Sequence, residues 1–547
     1  MAKSEKIFLT AILFLAGAIL FSACILHDIP LRDTAHRYAP MAEAFSAGDI
    51  RHALHPRIPV LHILTSGAAA LLPGCDGFTA VKISSCFWYF AGMFVLYKLI
   101  RHIRPDDRRI ALWSIALYAV FPYTVQMASY GLREPAKTFF LLLSALGLVK
   151  IKSNARDITG FTLTGIACGL GMLTRADTVL TAIAVLAVAA GIECRLRRVP
   201  LLSMYAMLIS FLLSFPAVLL NFHLFKAAVP DWKFAIIFIN SCGRMPDIAD
   251  YICVMTAVAA AIFAGAWTAE KIFRKISLRY LFFVFMALLF ASTLITAKNS
   301  GWNTKQMSHF CGSVFEGFYT FAGAFALICA AVKWYRGKLS AAEKVLLAVC
   351  FINAFINIFS IQTVEKTLYV SSRYLHPAMP LLFCFFVCGM RDTAEQISKY
   401  TGRKPARFLL AGATAAVGIA MVFHIFQPAI RNYSKKKNIC QRRKVFELAE
   451  MVKKDYRKPH STVKVANNPA TYFSGRTPLI YFTEPYNKIS VAAYMAGGSV
   501  TADIRNADYV VSLSKSHPEI KKFRARPVYL GSVRSLERTF NVWRVER

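Results

Sequence analysis

Long apolar runs, separated by short polar segments, follow one another from the N-terminus to about residue 427. A helix that crosses a lipid bilayer needs roughly 20 mostly apolar residues. Thirteen runs approach this length, and each predicts one transmembrane helix. The runs cover residues 7–26, 78–100, 109–126, 136–150, 158–173, 176–193, 200–225, 251–269, 280–297, 314–333, 343–361, 375–390 and 407–427.

Two apolar runs need separate interpretation. Residues 7–26 follow Lys3 and Lys6 as in a secretory signal, but the many later runs favour an uncleaved signal anchor. The run from Pro59 to Leu72 is shorter than a full span, and such a run more often re-enters the membrane or lies in its interface. We therefore expect this second run not to cross.

Basic clusters set the orientation of the chain. Because Lys and Arg concentrate in cytoplasmic connections, the basic connections are expected inside. They are residues 98–109, 150–156, 195–198, 271–279, 333–344 and 391–407. This arrangement predicts a cytoplasmic N-terminus, and it places residues 27–77 (the first outer loop) and the segment after Gln427 outside.

The segment after Gln427 lacks long apolar runs. We therefore divide the chain into a transmembrane domain, residues 1–428, and a basic α/β domain, residues 429–547. In the α/β domain a helix is predicted over Arg442 to Lys454, with Val445, Leu448, Ala449 and Val452 on one stripe. Its strands are predicted over Thr462 to Ala466, Asp508 to Leu513, Val528 to Leu530 and Asn541 to Val545.

Composition supports a membrane protein. Hydrophobic residues make up 56% of the 547 residues and charged residues 17%, with a mean hydropathy of +0.45. These values exclude an ordinary soluble enzyme and a disordered chain, and 13 Cys are too sparse for a disulfide scaffold. The net charge of +35, in a chain this hydrophobic, favours anionic lipids and lipid-linked phosphates over nucleic acid as partners. The sequence contains no Walker or dinucleotide loop, so nothing indicates direct use of a nucleotide.

The first outer loop offers one candidate base. Asp33 stands just beyond the first span, where the low dielectric constant at the membrane edge can raise the pKa of a carboxylate. The alternative is that Asp33 caps a helix through its side chain. The spacing of Ala35, Ala39 and Ala42 predicts an amphipathic helix that rests on the membrane.

Two further polar stretches interrupt the apolar runs. In Arg133-Glu134-Pro135, Pro135 suits a first helical turn, and Glu134 is either a cap or a second acidic group facing Asp33. In the hairpin at residues 173–177, Arg175 and Asp177 form either a local ion pair or a functional site, because ionisable groups at membrane depth are functional by default.

The last polar stretch, Ser371 to Pro380, opens a predicted span on the outer face. Its two prolines loosen the helix and free backbone groups. Arg373 offers a planar fork that fits a phosphate. The alternative is that Arg373 and Tyr374 anchor the helix at the membrane interface.

Elsewhere outside the spans, Cys242 and Cys311 either form a disulfide, which a periplasm permits, or remain free thiols.

Taken together, these stretches resemble the GT-C superfamily of membrane glycosyltransferases, and most nearly its protein O-mannosyltransferase and lipid A aminoarabinose transferase group. The resemblance covers about residues 1–425 and rests on motifs in the same order and on the same face. The motifs are residues 32–39, Gly48-Asp49, residues 55–61, 133–135 and 173–177, and Arg373, Tyr374, Pro377 and Pro380.

The resemblance implies a polytopic all-α GT-C fold and a specific activity. The protein would transfer a sugar from a polyprenyl-phosphate carrier to a lipid, glycan or protein of the cell envelope, with inversion, at the periplasmic face of the bacterial inner membrane. Asp33 would be the base, and Glu134 would orient the acceptor or help to bind a metal. The donor phosphate would bind to Arg373, Arg57 and Tyr374, with His55, Arg133, Arg175 and Asp177 as further candidates.

No obligatory cofactor is expected, although a divalent cation is left open, and anionic membrane lipids are expected partners. The alternative functions are a transporter or flippase of a lipid-linked or anionic substrate, and a membrane polysaccharide ligase. Transporters often show inverted repeats with paired broken helices, and the sequence shows no such symmetry.

Overall fold

The apolar runs of the sequence are helical in the computed structural model of the chain. In chain order the helices are α1 (Lys3–Leu26), a π-helix (Thr34–Tyr38), α2 (Ala39–Ser46), α3 (Ile50–Ala53), α4 (Val60–Ala70), α5 (Gly77–Ile103), α6 (Arg108–Ala119), α7 (Pro122–Ser129), α8 (Glu134–Ser153), α9 (Ile158–Met172), α10 (Thr178–Arg197), α11 (Leu201–Phe225), α12 (Ile248–Phe273), α13 (Leu278–Asn299), α14 (Thr304–Gly317), α15 (Phe321–Tyr335), α16 (Ala341–Val364), two 3-10 segments (Ser372–Tyr374 and His376–Leu382), α17 (Phe383–Thr401) and α18 (Ala415–Gln427).

The structure describes most of the transmembrane region and part of the C-terminal domain. The described residues are 3–31, 33–54, 58–154, 156–175, 178–197, 200–225, 242–244, 246–273, 278–299, 301, 303–317, 321–364, 368, 371–401, 412, 415–427, 447–452, 454–455, 479–482, 499–500, 508–512, 526–534 and 539–546.

Helix length limits how many of these elements can cross a bilayer by themselves. Among the described residues, six helices are long and apolar enough: α1, α5, α10, α11, α12 and α16. Helices α6 and α7 together make a seventh, with a bend of 50° between them. The bend falls at Phe121, whose extended backbone conformation is the one that a following proline favours. Each of the thirteen predicted runs contains described helical residues, although parts of the runs 176–193, 314–333 and 407–427 lie outside the described residues and the run 375–390 begins in a 3-10 segment. The number of crossings stays a prediction.

Helix α4 corresponds to the short apolar run. It has 11 residues, which span about 16 Å, roughly half of the hydrocarbon thickness. The expectation that this run is too short to cross therefore agrees with the structure.

Ion pairs join several connections at one end of the helices. The pairs are Arg104–Glu343, Lys333–Glu343, Arg391–Asp107 and Arg108–Glu5. They bring the start of α1 close to the connection after α5, and they bring that connection close to the end of α15 and to Arg391 of α17. All of these lie on the side that the basic clusters assign to the cytoplasm.

The alanine stripe of the first outer loop packs against protein. Ala35, Ala39 and Ala42 are at most 2% exposed and belong to a cluster with Ile63 of α4 and Val81 of α5. The expectation that this face rests on the membrane is wrong, because α4 and α5 supply the apolar surface that it covers.

Among the described residues after Gln427, five strands form one sheet: β1 (Leu479–Phe482), β2 (Ser499–Val500), β3 (Tyr509–Ser512), β4 (Arg526–Arg534) and β5 (Thr539–Glu546). Their order is β2-β1-β3-β5-β4, with β1 parallel to β2 and β3, and β5 antiparallel to β3 and β4. Strands β3, β4 and β5 coincide with predicted strands, whereas β1 and β2 were not predicted. The predicted strand at Thr462 to Ala466 lies outside the described residues.

The predicted helix of this domain is present over residues 447–452 and 454–455. Leu448, Ala449 and Val452 are each 2% exposed, as the stripe predicts. Asp455 fixes the helix to the sheet, because it accepts hydrogen bonds from Tyr509 Oη at 2.9 Å and Arg544 Nη1 at 3.0 Å.

Candidate active site

The backbone on both sides of Asp33 is attached to neighbouring helices. Lys82 Nζ in α5 donates to the carbonyl oxygen of His27 at 2.8 Å, where the chain leaves α1. Thr34 Oγ1, next to Asp33, donates to the carbonyl oxygen of Tyr130 at 2.8 Å. The first outer loop is therefore fixed to the turn that leads into α8.

That turn requires glycine. Gly131 has φ +68°, and a Cβ at this position would lie 2.5 Å from Val81 Cγ2. The turn ends where α8 begins at Glu134, with Pro135 in its first turn as the sequence predicts. Because Tyr130 is bonded to Thr34, the same turn sets the positions of Glu134 and Asp33 relative to each other.

Arg373 lies between these two carboxylates. Its Nη1 donates to Asp33 Oδ2 at 2.9 Å, and its Nε lies 3.9 Å from Glu134 Oε1. The side chains of Arg373 and Asp33 are 32% and 28% exposed, so a ligand can reach this pair. Arg373 therefore takes part in an ion pair and is not simply an interfacial anchor.

Glu134 forms a second, deeper ion pair with Arg175. The two side chains are 5% and 4% exposed, so the pair is shielded from solvent. The sequence also offered a local ion pair between Arg175 and Asp177. Asp177 lies outside the described residues, so that pair stays a prediction. Tyr374 joins the cluster, because its ring centroid is 4.6 Å from Arg175 Cζ and 5.5 Å from Arg373 Cζ.

Arg133 and Glu134 keep unused hydrogen-bonding atoms. Nε and Nη1 of Arg133 and Oε2 of Glu134 are buried, and no described residue bonds to them. The guanidinium of Arg133 lies 5.7 Å from the ring of Tyr38. Among the described residues, these atoms remain available as donors to an anion and as an acceptor for a hydroxyl group.

Two expectations for Asp33 are wrong. Burial favours a higher pKa for Asp33, but the guanidinium of Arg373, helped by Arg37 and Arg133, outweighs burial and lowers the pKa. Asp33 also makes no side-chain capping bond to the π-helix that follows it. The carboxylate is therefore ionised and bound to a cation in the described state.

The structure brings together Asp33, Glu134, Arg133, Arg175, Arg373 and Tyr374. The candidates His55 and Arg57 lie outside the described residues, as does Asp177. Within the described ranges, no group of three or more His, Cys, Asp or Glu side chains is placed to hold a metal ion. Cys242 and Cys311 are exposed free thiols in this structure.

Sequence reasoning missed Lys137, which is 1% exposed in α8. Its Nζ lies 3.5 Å from the carbonyl oxygen of Tyr374, the residue after Arg373. An isolated lysine near the start of the apolar run 136–150 carries no motif. Its spacing of three residues from Glu134 was the available signal, because it puts both side chains on one face of α8.

Comparison with solved structures identifies the fold. The oligosaccharyltransferase AglB of Archaeoglobus fulgidus, solved with an inhibitory peptide and a dolichol-phosphate, aligns over 93% of this chain and 70% of its own, with a TM-score of 0.54 and 11% identity. The chain has the GT-C fold. The fold expected from the sequence is thereby confirmed.

Two sequence comparisons each match part of the chain. Residues 55–220 match the family described as dolichyl-phosphate-mannose-protein mannosyltransferase. The undecaprenyl phosphate-alpha-4-amino-4-deoxy-L-arabinose arabinosyl transferase of Pseudomonas aeruginosa is 32% identical over 98 residues. That match covers 17% of this chain and only 18% of the relative's length.

Proposed function

We propose that this GT-C protein is a membrane glycosyltransferase that takes a sugar from a polyprenyl-phosphate carrier. One observation carries the proposal: Arg373 lies between two carboxylates, beside unused donors of Arg133. Such a site offers cations for the phosphate of the donor and carboxylates for the hydroxyl of the acceptor. The names of the relatives, which include transferases of dolichyl- and undecaprenyl-phosphate sugars, support the same substrate class.

The residue roles follow from exposure and contacts. Asp33 is the better base, since it is 28% exposed whereas Glu134 is 5% exposed. Arg373 binds the phosphate of the donor, with Tyr374 beside it and Arg57 as a further ligand. Glu134 orients the acceptor through its unused Oε2.

The reaction is a displacement at the anomeric carbon. The acceptor oxygen forms a bond to that carbon while the bond to the phosphate oxygen breaks. The proton of the hydroxyl passes to Asp33, and polyprenyl phosphate leaves with the bonding electrons beside Arg373. Attack from the side opposite the phosphate inverts the configuration of the sugar.

We place the site on the periplasmic face of a bacterial inner membrane. The ion-paired end of the helices carries the basic connections, which favour the cytoplasm, and Asp33, at the other end of α1, then faces the periplasm. Thirteen crossings, residues 1–428 as the catalytic domain and residues 429–547 as a periplasmic domain fit this orientation. The acceptor is a lipid, glycan or protein of the envelope.

A transfer assay tests the proposal. The purified full-length protein is incubated with radiolabelled polyprenyl-phosphate sugars and envelope acceptors, and both the labelled product and free polyprenyl phosphate are measured. We expect the two to form in equal amounts. Protein-dependent movement of the intact lipid across liposomes, without transfer, would contradict the proposal and favour a flippase.

A further inference from the structure

Lys137 is a buried ammonium group for which the proposed reaction gives no role. It is 1% exposed, and removing a cation from water costs several kcal/mol unless its surroundings compensate. An apolar side chain of similar length would pack in α8 without this cost. A charged group at such a position is therefore a candidate for a specific function.

Three parts of the site meet at Lys137. On α8 it lies one helical turn after Glu134, on the same face. Its Nζ contacts the carbonyl oxygen of Tyr374 at 3.5 Å, at the end of the short 3-10 segment that carries Arg373. It also lines a small cavity together with Thr178, in the first turn of α10.

The first turn of α10 leads back to the buried ion pair. Thr178 Oγ1 donates to the carbonyl oxygen of Arg175, the residue that pairs with Glu134. Lys137 thus contacts the backbone beside Arg373 and lines a cavity with the threonine that bonds to the backbone of Arg175. At 1% exposure it is too deep to meet a ligand directly, so its influence on a ligand passes through these neighbours.

We propose that Lys137 is a positioning residue for the donor phosphate: it holds the carbonyl oxygen of Tyr374 and thereby fixes Arg373 relative to Glu134. The inference rests on the proposed function, because it assumes that Arg373 binds a phosphate. It predicts a selective effect on the donor, since Lys137 Nζ contacts the segment that carries Arg373.

Binding and kinetics of Lys137→Met test the inference, with Lys150→Met as the matched control. Lys150 lies on the same helix and pairs with Asp157 at 3.3 Å, far from Glu134 along α8. The probes are undecaprenyl phosphate for affinity and the labelled donor and acceptor for KM, all with the full-length protein. In Lys137→Met we expect the Kd and the donor KM to rise about tenfold, as for loss of a hydrogen bond from a charged group. The acceptor KM should not change, and Lys150→Met should stay within about twofold of wild type.

A second variant keeps the test decisive if Lys137→Met does not fold. Lys137→Arg keeps the charge but cannot place its donor at the same point. Its donor KM should rise about threefold, with an unchanged acceptor KM. Donor and acceptor KM values that change together in the folded variant show a general structural role and overturn the inference, as does an unchanged Kd. If wild-type protein binds no undecaprenyl phosphate, the proposed function fails and the inference falls with it.

Discussion

Replacing Asp33 with asparagine should separate binding of the donor from turnover. Asp33 and the donor phosphate compete for the same guanidinium, because Arg373 Nη1 is bonded to Asp33 Oδ2 at 2.9 Å in the described state. A phosphate that binds Arg373 must displace this carboxylate. Once displaced, Asp33 loses the cation that lowers its pKa and becomes a better base.

The structure sets the size of both effects. The two side chains are 32% and 28% exposed, so their pair is worth about 0.2–1 kcal/mol. Asp33→Asn should therefore bind undecaprenyl phosphate about 1.5- to fivefold more tightly than wild type. Turnover should fall at least roughly a hundredfold, because an amide does not accept the proton at neutral pH.

Two assays on the detergent-solubilised protein measure these effects: calorimetric titration with undecaprenyl phosphate and transfer of labelled sugar. Asp49→Asn is the matched control, since Asp49 lies in the same loop but bonds to His52 at 2.6 Å. Equal or weaker binding by Asp33→Asn refutes the competition. Wild-type turnover in a folded Asp33→Asn protein refutes the role as base and moves that role to Glu134.

Three further predictions concern the same site and the orientation of the chain. Arg373→Ala should raise the donor KM roughly tenfold or more, and Arg373→Lys should raise it less without reaching the wild-type value, because an ammonium is a point charge. Steady-state kinetics of both variants measure this, and an unchanged donor KM in the alanine variant contradicts a phosphate role. The pKa of Asp33 in the folded protein is below the ordinary value of 3.8. The ion pair of Asp33 with Arg373 therefore stabilises the fold at every pH above 3.8, and this stabilisation is lost only as the pH falls through the lowered pKa. The Tm difference between wild type and Asp33→Asn should therefore stay constant from about pH 8 to about pH 5, and a loss within that window would show that the pKa is not lowered. A phosphatase fused after residue 547 should be active in cells, whereas activity of a cytoplasmic reporter at the same position would overturn the orientation.

The helices were predictable because their signal is local. Each apolar run reads as a helix by its own length, and strands β3 to β5 follow from alternation within a few residues. Strands β1 and β2 cover four and two residues, too few for a period to be visible. The alanine stripe shows the limit of such patterns: Ala35, Ala39 and Ala42 reveal an apolar face but not whether lipid or protein covers it.

The partners within the site were less predictable because they are distant in sequence. The motifs named Asp33, Glu134, Arg175 and Arg373, yet spacing favoured a local partner for Arg175 and a raised pKa for Asp33. The raised pKa of Asp33 is wrong, whereas the local pair of Arg175 with Asp177 stays a prediction, because Asp177 lies outside the described residues. In both cases a residue far along the chain supplies a counter-charge, and no single-sequence pattern records which distant cation meets which carboxylate.

The pair of Asp33 and Arg373 closes a loop of 340 residues, which has a consequence for biosynthesis. A ribosome that adds roughly 5–20 residues per second reaches Arg373 about 20–70 s after Asp33. During that interval the first outer loop has left the translocon while its described counter-charge has not been made. The site can form only after α16 has been inserted, so a chain that stalls earlier holds an incomplete charge cluster.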